Sequence, residues 1–71
     1  ILNAGAYSHT SIAIADAVKS IPAPVIGIHI SNIYQRETER HTDLLLSACK
    51  GNISGLGLNG YELAINYLLA L

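Results

Sequence analysis

The sequence predicts an α/β fold with a parallel sheet covered by helices on both faces. Pro24–Asn32 (PVIGIHISN) has a β-branched body in Val25, Ile26, Ile28 and Ile30, and Pro24 suits the first residue of a strand. Alternation sends Val25, Gly27 and His29 to one face and Ile26, Ile28 and Ile30 to the other. Both faces are mostly apolar, as in a parallel strand buried from both sides. Helical patterns precede and follow it, so the chain reads β-α-β-loop-β-α, the order of a parallel sheet with right-handed crossovers.

Taken in order, Ile1–Asn3 reads as the end of a strand and Ala4–Ser8 as a turn of small residues. Thr10–Ser20 is expected to be helical, capped by Thr10 or Ser8, with Ile14, Val18 and Ile21 forming an apolar stripe. Asp16 and Lys19 lie off that stripe, and Pro22 ends the helix. Pro24–Ile30 is the central strand. Asn32 to about His41 is polar, and Arg36–Asp43 holds five of the nine charged side chains. A short helix is expected over Thr42–Cys49, capped by Thr42 or Asp43. Gly51–Leu56 reads as a further strand, weakened by Asn52 and Ser54. Asn59–Leu71 reads as a helix, with Asn59 and Glu62 spaced as a capping box.

The chain has 71 residues, 51% apolar and 13% charged. That composition excludes a disordered tail. It is more apolar than a domain this small requires, since a domain near 60 residues buries only about 60% of its unfolded surface. The excess implies surfaces covered by something outside this sequence. Ile1 continues a strand, and Leu71 closes an uncapped apolar run, so the chain reads as a piece of a longer domain. A net charge of −1 without a basic patch argues against nucleic acid. No apolar run approaches the roughly 20 residues of a membrane span. Cys49 is the only cysteine, so no internal disulfide or cysteine-based zinc site is expected, and a reducing, cytoplasmic location is the default.

Candidate chemistry collects at strand ends, where open α/β sheets bind ligands. Asn3 ends the first strand and His29 the second, and His9 opens the first helix. Neighbouring strands would bring these three to one crevice, with Arg40 closing over it. A proton donor, amide and hydroxyl groups and a fixed cation suit a small, oxygen-rich anion. Plainer roles compete. A strand-end His is most often only hydrogen-bonded, an isolated Asn most often closes a turn, and Arg40 among Glu37, Glu39 and Asp43 reads as a solvated charge. His9, His29 and His41 match no metal-ligand spacing. Gly55–Gly60 (GLGLNG) is a literal G-x-G-x-x-G after a predicted strand. It reads as a tight turn with close helix–sheet packing rather than a nucleotide site. Asn52-Ile53-Ser54 matches a glycosylation sequon but falls in that strand.

Taken together, several motifs resemble the C-terminal half of the type II 3-dehydroquinate dehydratases (type II dehydroquinases). They are Asn3-Ala4-Gly5-Ala6-Tyr7-Ser8-His9-Thr10-Ser11, Asp16, His29-Ile30-Ser31-Asn32-Ile33, Arg36-Glu37, Arg40-His41 and Gly55-Leu56-Gly57 with Gly60-Tyr61. The resemblance spans nearly the whole chain without a gap. It implies a flavodoxin-like three-layer α/β/α fold with a parallel sheet, of which this chain supplies only part.

The resemblance also implies anti elimination of water from 3-dehydroquinate through an enolate, in the shikimate pathway, with no metal or cofactor. His29 would be the proton donor. Asn3, His9 and Arg40 would hold substrate hydroxyls, and the Ile30 and Ser31 N–H groups with the Ser31 hydroxyl would hold its carboxylate. Asp16 would reach a neighbouring subunit's site in a homo-oligomer of trimers packed into dodecamers. The family's first half, with its lid Arg and catalytic Tyr, has no counterpart in these residues, and Tyr7 belongs to the Asn3–Ser11 motif instead. This 71-residue piece alone is therefore expected to be inactive and to fold poorly. Ala4 stands where Pro is usual, and Thr42-Asp43-Leu44 where His-Ser-Tyr is usual. The alternative is a non-catalytic flavodoxin-like module that binds a nucleotide or a protein through Gly55–Gly60.

Overall fold

The computed structural model describes residues 1–71 and has β1 (Ile26–His29) at its centre. β2 (Gly51–Ser54) pairs with it in parallel, with Ile26 opposite Gly51 and His29 opposite Ser54. On the other side Leu2 forms a parallel bridge to Gly27. Leu2 donates to the Ile26 carbonyl at 2.9 Å and accepts from the Ile28 N–H at 2.8 Å. The expected strand at Ile1–Asn3 is thus present as one bridge, and the parallel order is as read.

Alternation in β1 separates packing from chemistry. Ile26 and Ile28 face α2 (Asn59–Leu69) and form the core with Ala64, flanked by Ile53, Tyr61 and Leu68. Gly27 and His29 face the opposite side, towards Cys49 and Asp43. Val25 shares their parity, and so does Leu2 through its pairing with Gly27. These two line an apolar groove with Ala13, Ile14, Ala17, Val18 and Ile21 of and beside α1 (Ile12–Ser20). The two helices therefore lie on opposite faces of the sheet, giving a partial α/β fold in three layers.

Several local expectations are corrected. α1 begins at Ile12 and is capped by Ser11, whose Oγ accepts from the Ile14 N–H at 3.1 Å. Thr10 and Ser8 do not cap it, because Gly5–His9 forms a 3₁₀ turn in which Ser8 is buried. Thr42–Cys49 is a set of turns rather than a helix. Asp43 does act as a cap, its Oδ1 accepting from the Leu45 N–H at 2.8 Å, and the Leu44 N–H bonds the Ser8 carbonyl at 2.8 Å, but the only bond to a carbonyl four residues back is Cys49 N–H to Leu45 at 3.0 Å. Asn59 is the first residue of α2 rather than its cap, and no side chain caps that helix. Gly60 and Tyr61 donate instead to the Gly57 and Leu58 carbonyls.

β2 stops at Ser54, short of Leu56, because Gly55 adopts φ +88°. A Cβ at Gly55 would lie 2.9 Å from Asn32 Cβ, and one at Gly60 3.3 Å from Ile53 Cγ2. These glycines make the turn and let α2 approach the sheet.

Candidate active site

The chain folds so that the carboxyl end of β1 and the residue after Leu2 open into one cleft. Asn3, Gly5, Ala6, His9, His29, Ile30, Ser31, Ile33, Arg36 and Arg40 line it, around a volume of about 160 Å³. Five predicted side chains thus converge, Asn3, His9, His29, Ser31 and Arg40, together with Ile30. Asp16 does not. It is exposed on α1 and takes no part in this lining.

Each polar wall residue is held by a specific bond. Asn3 accepts from the Gly5 N–H through Oδ1 at 3.0 Å and donates through Nδ2 to the Tyr61 hydroxyl at 2.9 Å. It closes a turn and presents its amide at the same time. His9 Nδ1 lies 2.7 Å from the Thr42 carbonyl oxygen, which can only accept, so Nδ1 carries the proton. The His9 and His29 rings stack with centroids 5.9 Å apart and planes at 16°.

His29 is only 8% exposed, and its Nε2 lies 2.8 Å from Asp43 Oδ2. The carboxylate accepts, so Nε2 donates. No protein atom bonds Nδ1, and no buried side-chain nitrogen or oxygen is left without a partner. Nδ1 is therefore the nitrogen that opens to the cleft. Beside this pair, burial pushes the Cys49 thiol up, and the Asp43 charge adds to the effect.

The rim is cationic. Arg36 Nη1 donates to Ser31 Oγ at 3.3 Å, and Arg40 Nε donates to Glu37 Oε2 at 2.8 Å. Glu37's own backbone N–H, then Arg40, hold its carboxyl below the usual carboxylate range. The Ile30 and Ser31 N–H groups bond no backbone carbonyl, leaving two fixed donors at the strand end. Two imidazoles, two guanidiniums, an amide, a hydroxyl and these N–H groups suit an oxygen-rich anion that must receive a proton.

Sequence reasoning missed two residues. Arg36 was visible only as part of a motif, and Asp43 reads as a helix cap or loop charge. The one sign of Asp43 is an acidic residue in the segment that departs from the family pattern. His41 turns away from the other histidines, to the Arg36 carbonyl at 3.0 Å. The Gly55–Gly60 run is mostly exposed, with only Gly60 buried. The Gly55 and Gly57 N–H groups donate to the His29 and Ile30 carbonyls at 3.0 and 2.9 Å, so they are committed to the sheet end rather than free to cradle a phosphate.

Comparison with known proteins agrees with this geometry. The family model described as dehydroquinase class II matches residues 1–69. The 3-dehydroquinate dehydratase of an Exiguobacterium species is 56% identical over 69 residues, which cover 97% of this chain and 48% of that protein. That of Bacillus subtilis is 53% identical over 70 residues, covering 99% of this chain and 47% of that protein. The crystal structure of type II dehydroquinase from Propionibacterium acnes superposes with a TM-score of 0.95 at 49% identity, over 97% of this chain and 51% of that one. The chain thus spans about half the length of the relatives it matches. A family match along nearly its whole length, with the same fold, establishes that the chain belongs to the class II dehydroquinases.

Proposed function

We propose that these residues form the C-terminal part of a single-domain 3-dehydroquinate dehydratase, a hydro-lyase that converts 3-dehydroquinate to 3-dehydroshikimate in the shikimate pathway of aromatic amino acid biosynthesis. The observation that carries this reading is the convergence of His29 with Asn3, His9, Ser31 and Arg40 in one cleft at the carboxyl end of β1. In the elimination, a base removes the proton next to the ketone, and its C–H electrons form an enolate. The enolate then re-forms the carbonyl, the electrons move to make the C=C bond, and the C–O bond breaks. His29 Nδ1–H gives its proton to the departing hydroxyl, which leaves as water. Transfer of the abstracted proton from the base back to the imidazole, through solvent, resets the site.

Ile30 and Ser31, with two main-chain donors and a hydroxyl, hold the substrate carboxylate. Asn3, His9 and Arg40 hold its hydroxyls. No tyrosine lines the cleft, and the tyrosinate base and lid arginine are assigned to the first half of the domain with its remaining strands. Asp16, exposed on α1, reaches the site of a neighbouring subunit in a trimer-based dodecamer. The reaction needs no metal or cofactor, because an enolate adjacent to a ketone requires only proton transfers and fixed donors. No helix is long and apolar enough to cross a membrane, and a cytoplasmic location fits a lone unpaired cysteine.

An absorbance assay for the conjugated enone product tests the reading. The full-length protein is expected to turn over 3-dehydroquinate, and the 71-residue piece alone is expected to give only background. A full-length protein without turnover overturns the function. Turnover by the piece overturns the assignment of the base to the first half.

A further inference from the structure

We propose that Asp43 is the positioning residue and counter-ion of His29, holding the imidazole by Nε2 so that Nδ1 can deliver a proton into the cleft. This rests on the reading of His29 as the acid. Asp43 lies on a loop 14 residues past His29, and its side chain is only 2% exposed. Both of its oxygens are committed, Oδ2 to His29 Nε2 and Oδ1 to the Leu45 N–H, each at 2.8 Å. A carboxylate is kept from water only where partners offset its lost hydration. Here the chief partner is the ring that does the chemistry.

The proton count defines what Asp43 does to the ring. Asp43 accepts, so Nε2 carries hydrogen in either charge state of the ring. A neutral ring then has a bare Nδ1 and cannot act as an acid. To donate, His29 must carry both hydrogens and a positive charge. Arg36 and Arg40 line the same cleft, paired at its rim with Glu37, and His9 stacks on the ring. Cys49 is the other titratable group beside Asp43, and burial keeps its thiol protonated. Asp43 is thus the one anion in direct contact with the imidazole.

Anchoring the loop is not a sufficient role for the carboxylate. Thr42 and Leu44, on either side of Asp43, are already tied to His9 and Ser8 by bonds of 2.7 and 2.8 Å. The loop is held to the turn that carries His9 without any help from Asp43. What the carboxylate adds is the orientation and charge balance of His29, as an acid held by a third group requires.

The test uses the full-length protein and a double-mutant cycle. Asp43→Asn is expected to lower kcat about tenfold to a hundredfold, part of the general acid's worth, with KM changed by less than about threefold. Asp43→Glu is expected to retain more kcat than Asp43→Asn. In a His29→Ala background, Asp43→Asn is expected to cost nothing further. Losses that multiply in the double variant would show an independent structural role and overturn the proposal. Long-range ¹⁵N–¹H spectra give a second readout that needs neither activity nor a variant. A wild-type His29 ring protonated at Nε2 supports the pairing, and a bare Nε2 overturns it, even if Asp43→Asn does not fold. A wild-type protein that shows the Nε2 signature but does not dehydrate 3-dehydroquinate overturns the reading of the reaction and leaves the ion pair standing.

Discussion

The wall and the rim of the cleft carry the same kinds of charge but hold them in different ways. At the wall, His29 and Asp43 are 8% and 2% exposed and meet at 2.8 Å. At the rim, Arg36 and Arg40 are 41% and 34% exposed and share Glu37, which is 59% exposed. The wall pair stands on β1 and on a loop tied to its neighbours on both sides of Asp43. The rim residues sit in two single-turn 3₁₀ segments and the link between them, Ile33–Gln35 and Thr38–Arg40. A buried pair keeps one geometry because any other leaves a charge without water or partner. An exposed pair can exchange partners, because water replaces what is lost. On the proposed reading, the fixed wall suits delivery of a proton along one direction, and the exchangeable rim suits release of Glu37 and capture of an anion.

Substitutions can break or sharpen this contrast, and His29→Ala carries the largest expected effect. In the full-length protein, turnover should fall by about two to four orders of magnitude while substrate still binds. A loss confined to a few-fold in a steady-state assay would remove His29 from the acid's role. Next comes Ile28→Ala, on the opposite face of the same strand. Ile28 is 1% exposed and packs in the core cluster with Ile26 and Ala64. Its truncation should cost about 2–4 kcal/mol of stability, read from chemical denaturation of the full-length protein. It should also loosen the wall without touching substrate.

Arg40→Gln should act at the rim alone. KM is expected to rise roughly tenfold, the scale of one charge-assisted contact at about 1.4 kcal/mol, with kcat changed less. Added salt should raise the wild-type KM in the same direction, since exposed charges are screened beyond about 10 Å at 0.1 M salt. If kcat falls as far as in His29→Ala, the division of labour is wrong. The smallest effect belongs to Glu37→Gln, which frees Arg40 and should change KM by no more than a few-fold. The pH dependence of this rim contact has a definite sign. Glu37's carboxyl is held low, first by its own backbone N–H and then by Arg40. The contact is therefore present above the ordinary carboxylate value and is lost as pH falls through the lowered folded one. Glu37→Gln should erase that acid-side dependence of KM and leave the rest of the profile in place.

Much of the fold was legible because hydrophobic alternation and helix propensity are local. Val25–Ile30 alternates as a strand whatever surrounds it, and Ala13, Ala15 and Ala17 favour a helix at α1. The boundaries were less legible, since they depend on which donors find partners. Ser11 rather than Thr10 caps α1, because Thr10 closes the 3₁₀ turn over Gly5–His9. The helix expected over Thr42–Cys49 does not propagate: after the Asp43 cap, only the Cys49 N–H reaches a carbonyl four residues back, that of Leu45.

By itself, the sequence determined the strand that ends on His29, the helices to either side, and the set of motifs that places Asn3, His9, Ser31 and Arg40 in a known pattern. All of these are properties of residue type and spacing. Only the tertiary structure decided that Arg36 lines the cleft, that Asp16 does not, and that Asp43 meets His29. The 14 residues between His29 and Asp43 hold no regular spacing that would bring them together. Their meeting depends on Thr42 and Leu44 being tied to the His9 turn. It depends also on burial, which at 8% and 2% exposure leaves an imidazole and a carboxylate no better partner than each other.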